Sequence, residues 1–184
     1  VTKFWEGRHT LYTLKDIKKI ALNLTILHKE LNKFPYADLV KKRSELFLHK
    51  LKKTSKLILE KDANFLKPKF RDDVIIAAKN YFRYKNLNNI QVIHGDLSPG
   101  NIIFNKDNEV IFCDFEDSAF SFRPCLFDVI MCCMRYCISN EKSDDKSSKQ
   151  ERLKAFVNFY TFPNGMKLDI NSVSMNIEYI RNHF

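Results

Sequence analysis

The stretch Val92-Ile93-His94-Gly95-Asp96-Leu97-Ser98-Pro99-Gly100-Asn101-Ile102-Ile103-Phe104 decides how this chain is read. It is a polar, turn-rich loop between two apolar, β-branched runs. A further apolar run, Val110-Ile111-Phe112-Cys113, follows the turn Asn105-Lys106-Asp107-Asn108 and ends on Asp114-Phe115-Glu116-Asp117. Short strands joined by loops fit such a pattern. The Pro99-Gly100 turn can splay Asp96 and Asn101 so that one faces a substrate hydroxyl and the other a cation. Asp114, at the end of the next strand, offers a hard oxygen to the same cation. Magnesium suits ligation this sparse, because it keeps several waters and takes its remaining oxygens from nucleotide phosphates. Phosphoryl transfer asks of a protein positioning, neutralisation of the β and γ oxygens and an acceptor for the hydroxyl proton. Asp96, Asn101 and Asp114 could supply all three. Taken singly, each has a plainer reading, since Asp and Asn commonly punctuate turns; the ordered set with His94, Pro99, Gly100 and the strand flanks favours the chemistry.

Working outward, Leu14 to Leu31 places Ile17, Ile20, Ala21, Leu24 and Leu27 at helical spacing behind Thr13, a candidate N-cap. Phe34-Pro35-Tyr36 breaks that helix. Ala37 to about Leu59 reads as a second, very basic helix, and about 69–84 as a third. Downstream, one helix is expected over Leu126 to Ile138, then a polar run over 140–149 with no apolar anchor, which predicts a mobile loop. Two more helices are expected at about 149–160 and 170–182, on either side of Pro163-Asn164-Gly165. A mainly α domain with a few short β-strands, an α+β fold, is the predicted class.

At 184 residues and 45% hydrophobic content the chain can bury one sizeable core. No apolar run reaches the roughly 18 to 20 residues of a membrane-spanning helix; the most apolar, Cys125 to Ile138, is interrupted by Asp128 and Arg135. The five cysteines lack the paired spacing and histidine partners of a zinc site, so free thiols in a reducing cytoplasm are expected. The net charge of +9 raises nucleic acid or an anionic surface as partners. Between Lys41 and Arg71, however, the basic residues alternate with Leu46, Phe47, Leu51 and Leu57, as on a solvated helix face. Nucleic-acid binding would require them to converge on one surface.

His94-Gly95-Asp96, Asn101 five residues after the Asp, and Asp114-Phe115-Glu116 together resemble the motifs of the aminoglycoside phosphotransferase and choline kinase family. The resemblance extends in outline along the chain: Phe4 to Arg8 resembles the hinge between two lobes, Leu14 to His28 the helix after it, and Leu126 to Val129 the helix after the metal loop. It implies the C-terminal catalytic lobe of a protein-kinase-like fold. On that basis 1–12 is a hinge remnant, 13–88 a helical subdomain, 90–118 the catalytic and metal-binding loops, and 124–184 the C-terminal helices. The resemblance further implies that Asp96 is the catalytic base, that Asn101 and Asp114 bind Mg2+, and that His94 and Asp128 hold the loop. It also implies that Ile103 and Cys113, with Phe4 of the hinge, line the site of ATP or GTP. Protein kinases carry Arg after the loop His and a Lys two residues after the catalytic Asp; this chain has Gly95 and Ser98 there. A small-molecule alcohol therefore fits better as acceptor than a peptide.

The family pattern also includes a Gly-rich loop over the phosphates, a strand Lys and its helix Glu partner. With glycines only at Gly7, Gly95, Gly100 and Gly165, this chain holds no such loop. The expectation is a fragment that needs the nucleotide-binding N-lobe of the same protein and is inactive alone. The alternative is a catalytically impaired, kinase-like binding or scaffold module. The basic helices suit a neutral or anionic acceptor better than a polycationic antibiotic.

Overall fold

The computed structural model describes residues 6–60, 89–139, 144–171 and 173–174. Phe4, the helix expected at 69–84 and most of the helix expected at 170–182 lie outside them. The described residues form strand β1 (Gly7–Arg8), helices α1 (Leu14–Leu31) and α2 (Ala37–Glu60), and strands β2 (Ile90–Val92), β3 (Ile102–Asn105), β4 (Val110–Phe112) and β5 (Phe122–Pro124). Helices α3 (Leu126–Cys132) and α4 (Lys149–Phe159) follow. Two small antiparallel sheets result, one in the order β1-β3-β4 and one pairing β2 with β5. Among the described residues no helix is long and apolar enough to cross a membrane.

Helix α1 starts where Thr13 Oγ1 accepts the Asp16 N–H at 3.1 Å, which satisfies one of the donors a helix start leaves open. Its stripe Ile17, Ile20, Ala21 and Leu24 is fully buried and packs on α4, which contributes Ala155, Phe156 and Val157 to the same core. Each buried Ile, Leu, Val or Phe among them contributes roughly 1.5–3 kcal/mol relative to exposure. Helix α4 begins with a reciprocal capping box between Ser148 and Glu151. Helix α2 keeps Lys41, Lys42 and Arg43 in solvent and turns Val40 and Ser44 inward.

The helix expected over 126–138 is present, α-helical as far as Cys132 and widened over Cys133–Ile138 into a π-helical turn. Ser139 closes that turn by donating both its N–H and its hydroxyl to the Met134 carbonyl, at 2.8 and 2.6 Å. The buried Arg152 caps it further, donating Nε–H to the Cys137 carbonyl at 3.2 Å. The polar run at 140–149 carries several hydrogen bonds where it is described. Asp145 accepts the Leu14 N–H at 2.7 Å, the Asp144 N–H reaches the Leu11 carbonyl at 3.3 Å, and the Ser147 carbonyl accepts from Arg152.

Buried Asp16 fastens the start of the chain to α1. It accepts two hydrogen bonds from Arg8, at 2.8 and 2.9 Å, and the Leu11 N–H at 2.9 Å. Burial would raise its carboxyl, but the Arg8 guanidinium and the Leu11 and Thr10 donors outweigh this and hold it below the ordinary value of 3.8. A carboxyl lowered in the folded state contributes stability above its unfolded pKa and loses that contribution as the pH falls through its folded one. Asp16→Asn is therefore expected to destabilise at neutral pH, with the gap from wild type closing as the pH drops below 3.8. Urea midpoints measured across an acid series check this.

Candidate active site

The loop 93–101 leaves β2 and returns into β3 by way of a short 3-10 turn, Pro99–Asn101. It reverses at Gly95, whose φ of 90° lies in the left-handed region; a Cβ there would come within 2.5 Å of Ser121 Oγ. The position accepts only glycine without rearrangement. Beneath it Asp128, at the start of α3 and fully buried, accepts the N–H groups of His94 and Gly95 at 2.9 and 3.0 Å. The same carboxylate lies 3.0 Å from His28 Nε2, and His28 Nδ1 lies 2.7 Å from the Tyr160 hydroxyl. Burial, with the nearby Cys125 and Asp128, pushes the Tyr160 phenol far above its ordinary value, so it remains a donor. A neutral imidazole whose Nε2–H donates to the Asp128 carboxylate would accept from the Tyr160 hydroxyl at Nδ1. A chain of polar contacts thus runs from the core under α1 and α4 to the backbone of the loop.

His94 is also fully buried. Its Nε2 lies 2.9 Å from the Cys113 carbonyl, its Nδ1 3.4 Å from the Asp96 N–H, and the Phe115 ring covers it with centroids 4.5 Å apart. Both ring nitrogens therefore face main chain of the two motif segments, a geometry that holds the Asp96 loop against the Asp114 loop.

Asp96 is gripped from both sides. Asn101 Nδ2 donates to its carbonyl at 2.9 Å and to its Oδ2 at 3.1 Å, and Arg135 donates to its Oδ1 at 2.8 Å. With the amide nitrogen of Asn101 so engaged, its Oδ1 is the atom left for a cation. Asp114 follows β4 at a φ of 60°, a left-handed conformation that short polar side chains tolerate, and it is exposed to solvent. Among the described residues no three His, Cys, Asp or Glu side chains converge as a metal cage. One amide oxygen and one exposed carboxylate instead fit a hard cation that keeps its waters and binds phosphate oxygens.

Ile103 pairs with Ile111 across β3 and β4, and strand alternation puts Cys113 on that same face. The Cys113 N–H also donates to the Asn101 carbonyl at 2.9 Å, which ties the two expected metal-binding segments together. Its thiol is pushed up by partial burial and by the neighbouring Asp114 charge. An open recess of about 480 Å³ at the outer end of this sheet is lined by Glu6, Gly7, Arg8, Phe104 and Lys106, and takes in none of Asp96, Asn101 or Asp114.

Sequence reasoning assigned no role to Arg135 or to His28. Both left a signal: Arg135 interrupts an apolar run, and His28 falls four residues after Leu24 on the buried stripe of α1. Tyr136 joins Arg135 in gripping the loop, its hydroxyl donating to the Ser98 carbonyl at 2.6 Å. Consecutive residues of the π turn thus both reach residues 96–98.

A family model described as "Phosphotransferase enzyme family" matches residues 7–154. No curated protein and no solved structure matches the chain.

Proposed function

Because the chain belongs to the phosphotransferase enzyme family, we propose that it is the catalytic lobe of a kinase that transfers the γ-phosphoryl group of ATP to the hydroxyl of a small molecule. Asp96 accepts the hydroxyl proton. Asn101 Oδ1 and Asp114 would hold Mg2+, which supplies neutralisation of phosphate charge. His94 and Asp128 position the loop, and Ile103 and Cys113 lie on the strand face offered to the nucleotide, with GTP as an alternative donor. The observation that carries this reading is Asp96 itself, a carboxylate held by Asn101 and Arg135 on a loop whose main chain is fastened to buried Asp128.

The protein's own residues do mostly positioning work. Phosphoryl transfer needs little covalent help, and a base fixed by two donors loses little freedom when the acceptor arrives. Asn101 links base and cation in one side chain, so the acceptor oxygen and the donor phosphate are referred to the same amide.

The test is phosphoryl transfer from ATP to a panel of alcohols by the protein together with whatever sequence precedes Val1, where a Gly-rich hairpin, a strand Lys and a helix Glu are sought. Mg2+-dependent turnover that Asp114→Ala reduces by at least about 100-fold is expected. No turnover with any alcohol, and no such upstream lobe, would favour the scaffold reading.

A further inference from the structure

We infer that Tyr160 is a positioning residue for the catalytic loop, acting through His28 and Asp128 on the main chain of His94 and Gly95. Its consequence for phosphoryl transfer rests on Asp96 being the base; its grip on the loop does not. Tyr160 sits just past the end of α4 and is fully buried, with its hydroxyl 2.7 Å from His28 Nδ1. On the far side of that ring, His28 Nε2 lies 3.0 Å from Asp128, which accepts the two loop N–H groups immediately before Asp96 at 2.9 and 3.0 Å.

Packing alone does not ask for a hydroxyl here. The Tyr160 ring stacks on Phe156 with centroids 6.2 Å apart and meets Phe162 edge-on at 5.1 Å, so a phenylalanine would fill the same space. A buried hydroxyl costs stability unless it is hydrogen-bonded. Its contact is with a second buried polar ring, that of His28, set nearly perpendicular to it at 5.7 Å. Two core positions are thus given to polar groups whose chain of contacts ends on the loop.

Both rings are also anchored through main chain. Thr161, next to Tyr160, donates its N–H at 2.9 Å to Oγ1 of Thr25, one turn before His28 on α1. Gln91 of β2 donates Nε2–H to the His28 carbonyl at 2.6 Å. The imidazole is therefore held at its backbone as well as at both nitrogens. Without the hydroxyl, Nδ1 is left buried and lacks that partner, a state that costs free energy. The ring relieves the cost by turning or by shifting its proton, and either change alters what Nε2 offers to Asp128. Asp96 moves with the loop, and an ångström of misplacement at a reacting centre can cost about 100-fold in rate.

Tyr160→Phe in the full-length protein tests the inference, read first by amide hydrogen exchange, which needs no turnover. The His94 and Gly95 amides are expected to exchange at least about tenfold faster, with those of Ile20 and Leu24 in the same core unchanged. The nitrogen resonance of His28 Nδ1 should move as its hydrogen bond is lost. In turnover, kcat should fall about tenfold while KM for nucleotide and acceptor stays the same. The inference falls if the two loop amides keep their protection, or if Ile20 and Leu24 lose theirs to the same degree, which is a plain loss of stability. It falls equally if the Nδ1 resonance stays in place, or if kcat holds in an active enzyme. Failure of the kinase reading looks different: the wild-type protein would turn over no alcohol, while the loop amides would still respond to Tyr160→Phe.

Discussion

Asp96→Asn is expected to lower kcat for phosphoryl transfer roughly 100- to 10,000-fold, the range that a positioned base contributes. The substitution keeps size and shape and leaves an oxygen to accept from Arg135, which donates to the native carboxylate at 2.8 Å. The fold should be unaffected. What is lost is the group proposed to take the hydroxyl proton, an interaction that would matter in the transition state and little in the bound ground state, so KM should change little. Steady-state kinetics of both forms, with matched thermal unfolding curves, measures this. Unchanged kcat would remove Asp96 from the mechanism.

The largest loss of stability is expected from Asp128→Ala. The carboxylate is fully buried and serves two backbone N–H groups and His28 Nε2, at 2.9 to 3.0 Å. Its removal strands these donors in a dry interior, where each orphaned group costs about 1–3 kcal/mol. Because the losses are not additive, about 3–5 kcal/mol is expected, the scale for breaking a buried charged contact. That is a large share of the roughly 5–15 kcal/mol that stabilises a domain. Asp128→Asn, which keeps one acceptor oxygen, should lose less. Urea midpoints for the two variants give the ordering directly, and equal midpoints would show that the carboxylate is not the hub described.

Much of this was legible in the sequence because it follows from local chemistry. The apolar spacing behind Thr13 gives α1 over Leu14–Leu31, and the β-branched runs around the Pro99-Gly100 turn give β2, β3 and β4. Asp96, Asn101 and Asp114 stood out because polar groups in an apolar setting need a reason. The π turn was not legible, since its backbone register depends on Ser139 and on Arg152 from another helix, contacts that helical periodicity does not encode. The pairing of Arg135 with Asp96 spans 39 positions and the contact of His28 with Asp128 spans 100, so neither follows from spacing. The run at 140–149 was read by composition, whereas Asp145 is fixed by the open end of α1, 131 positions away.

The cysteines carry one more consequence. Cys125, Cys132, Cys133 and Cys137 are buried, and removal from water pushes the thiols of Cys125, Cys132 and Cys133 well up, that of Cys125 to about 12. Thiolate is the form that oxidants and electrophiles attack, so in the folded protein burial and the raised thiols of Cys125, Cys132 and Cys133 slow such attack. Their exposure to damage is then governed by how often the α3 region opens, and local opening is set by stability. Oxidative ageing of this protein is coupled to its folding equilibrium, and a mutation that loosens the Asp128 hub would shorten its chemical lifetime without touching a single sulfur.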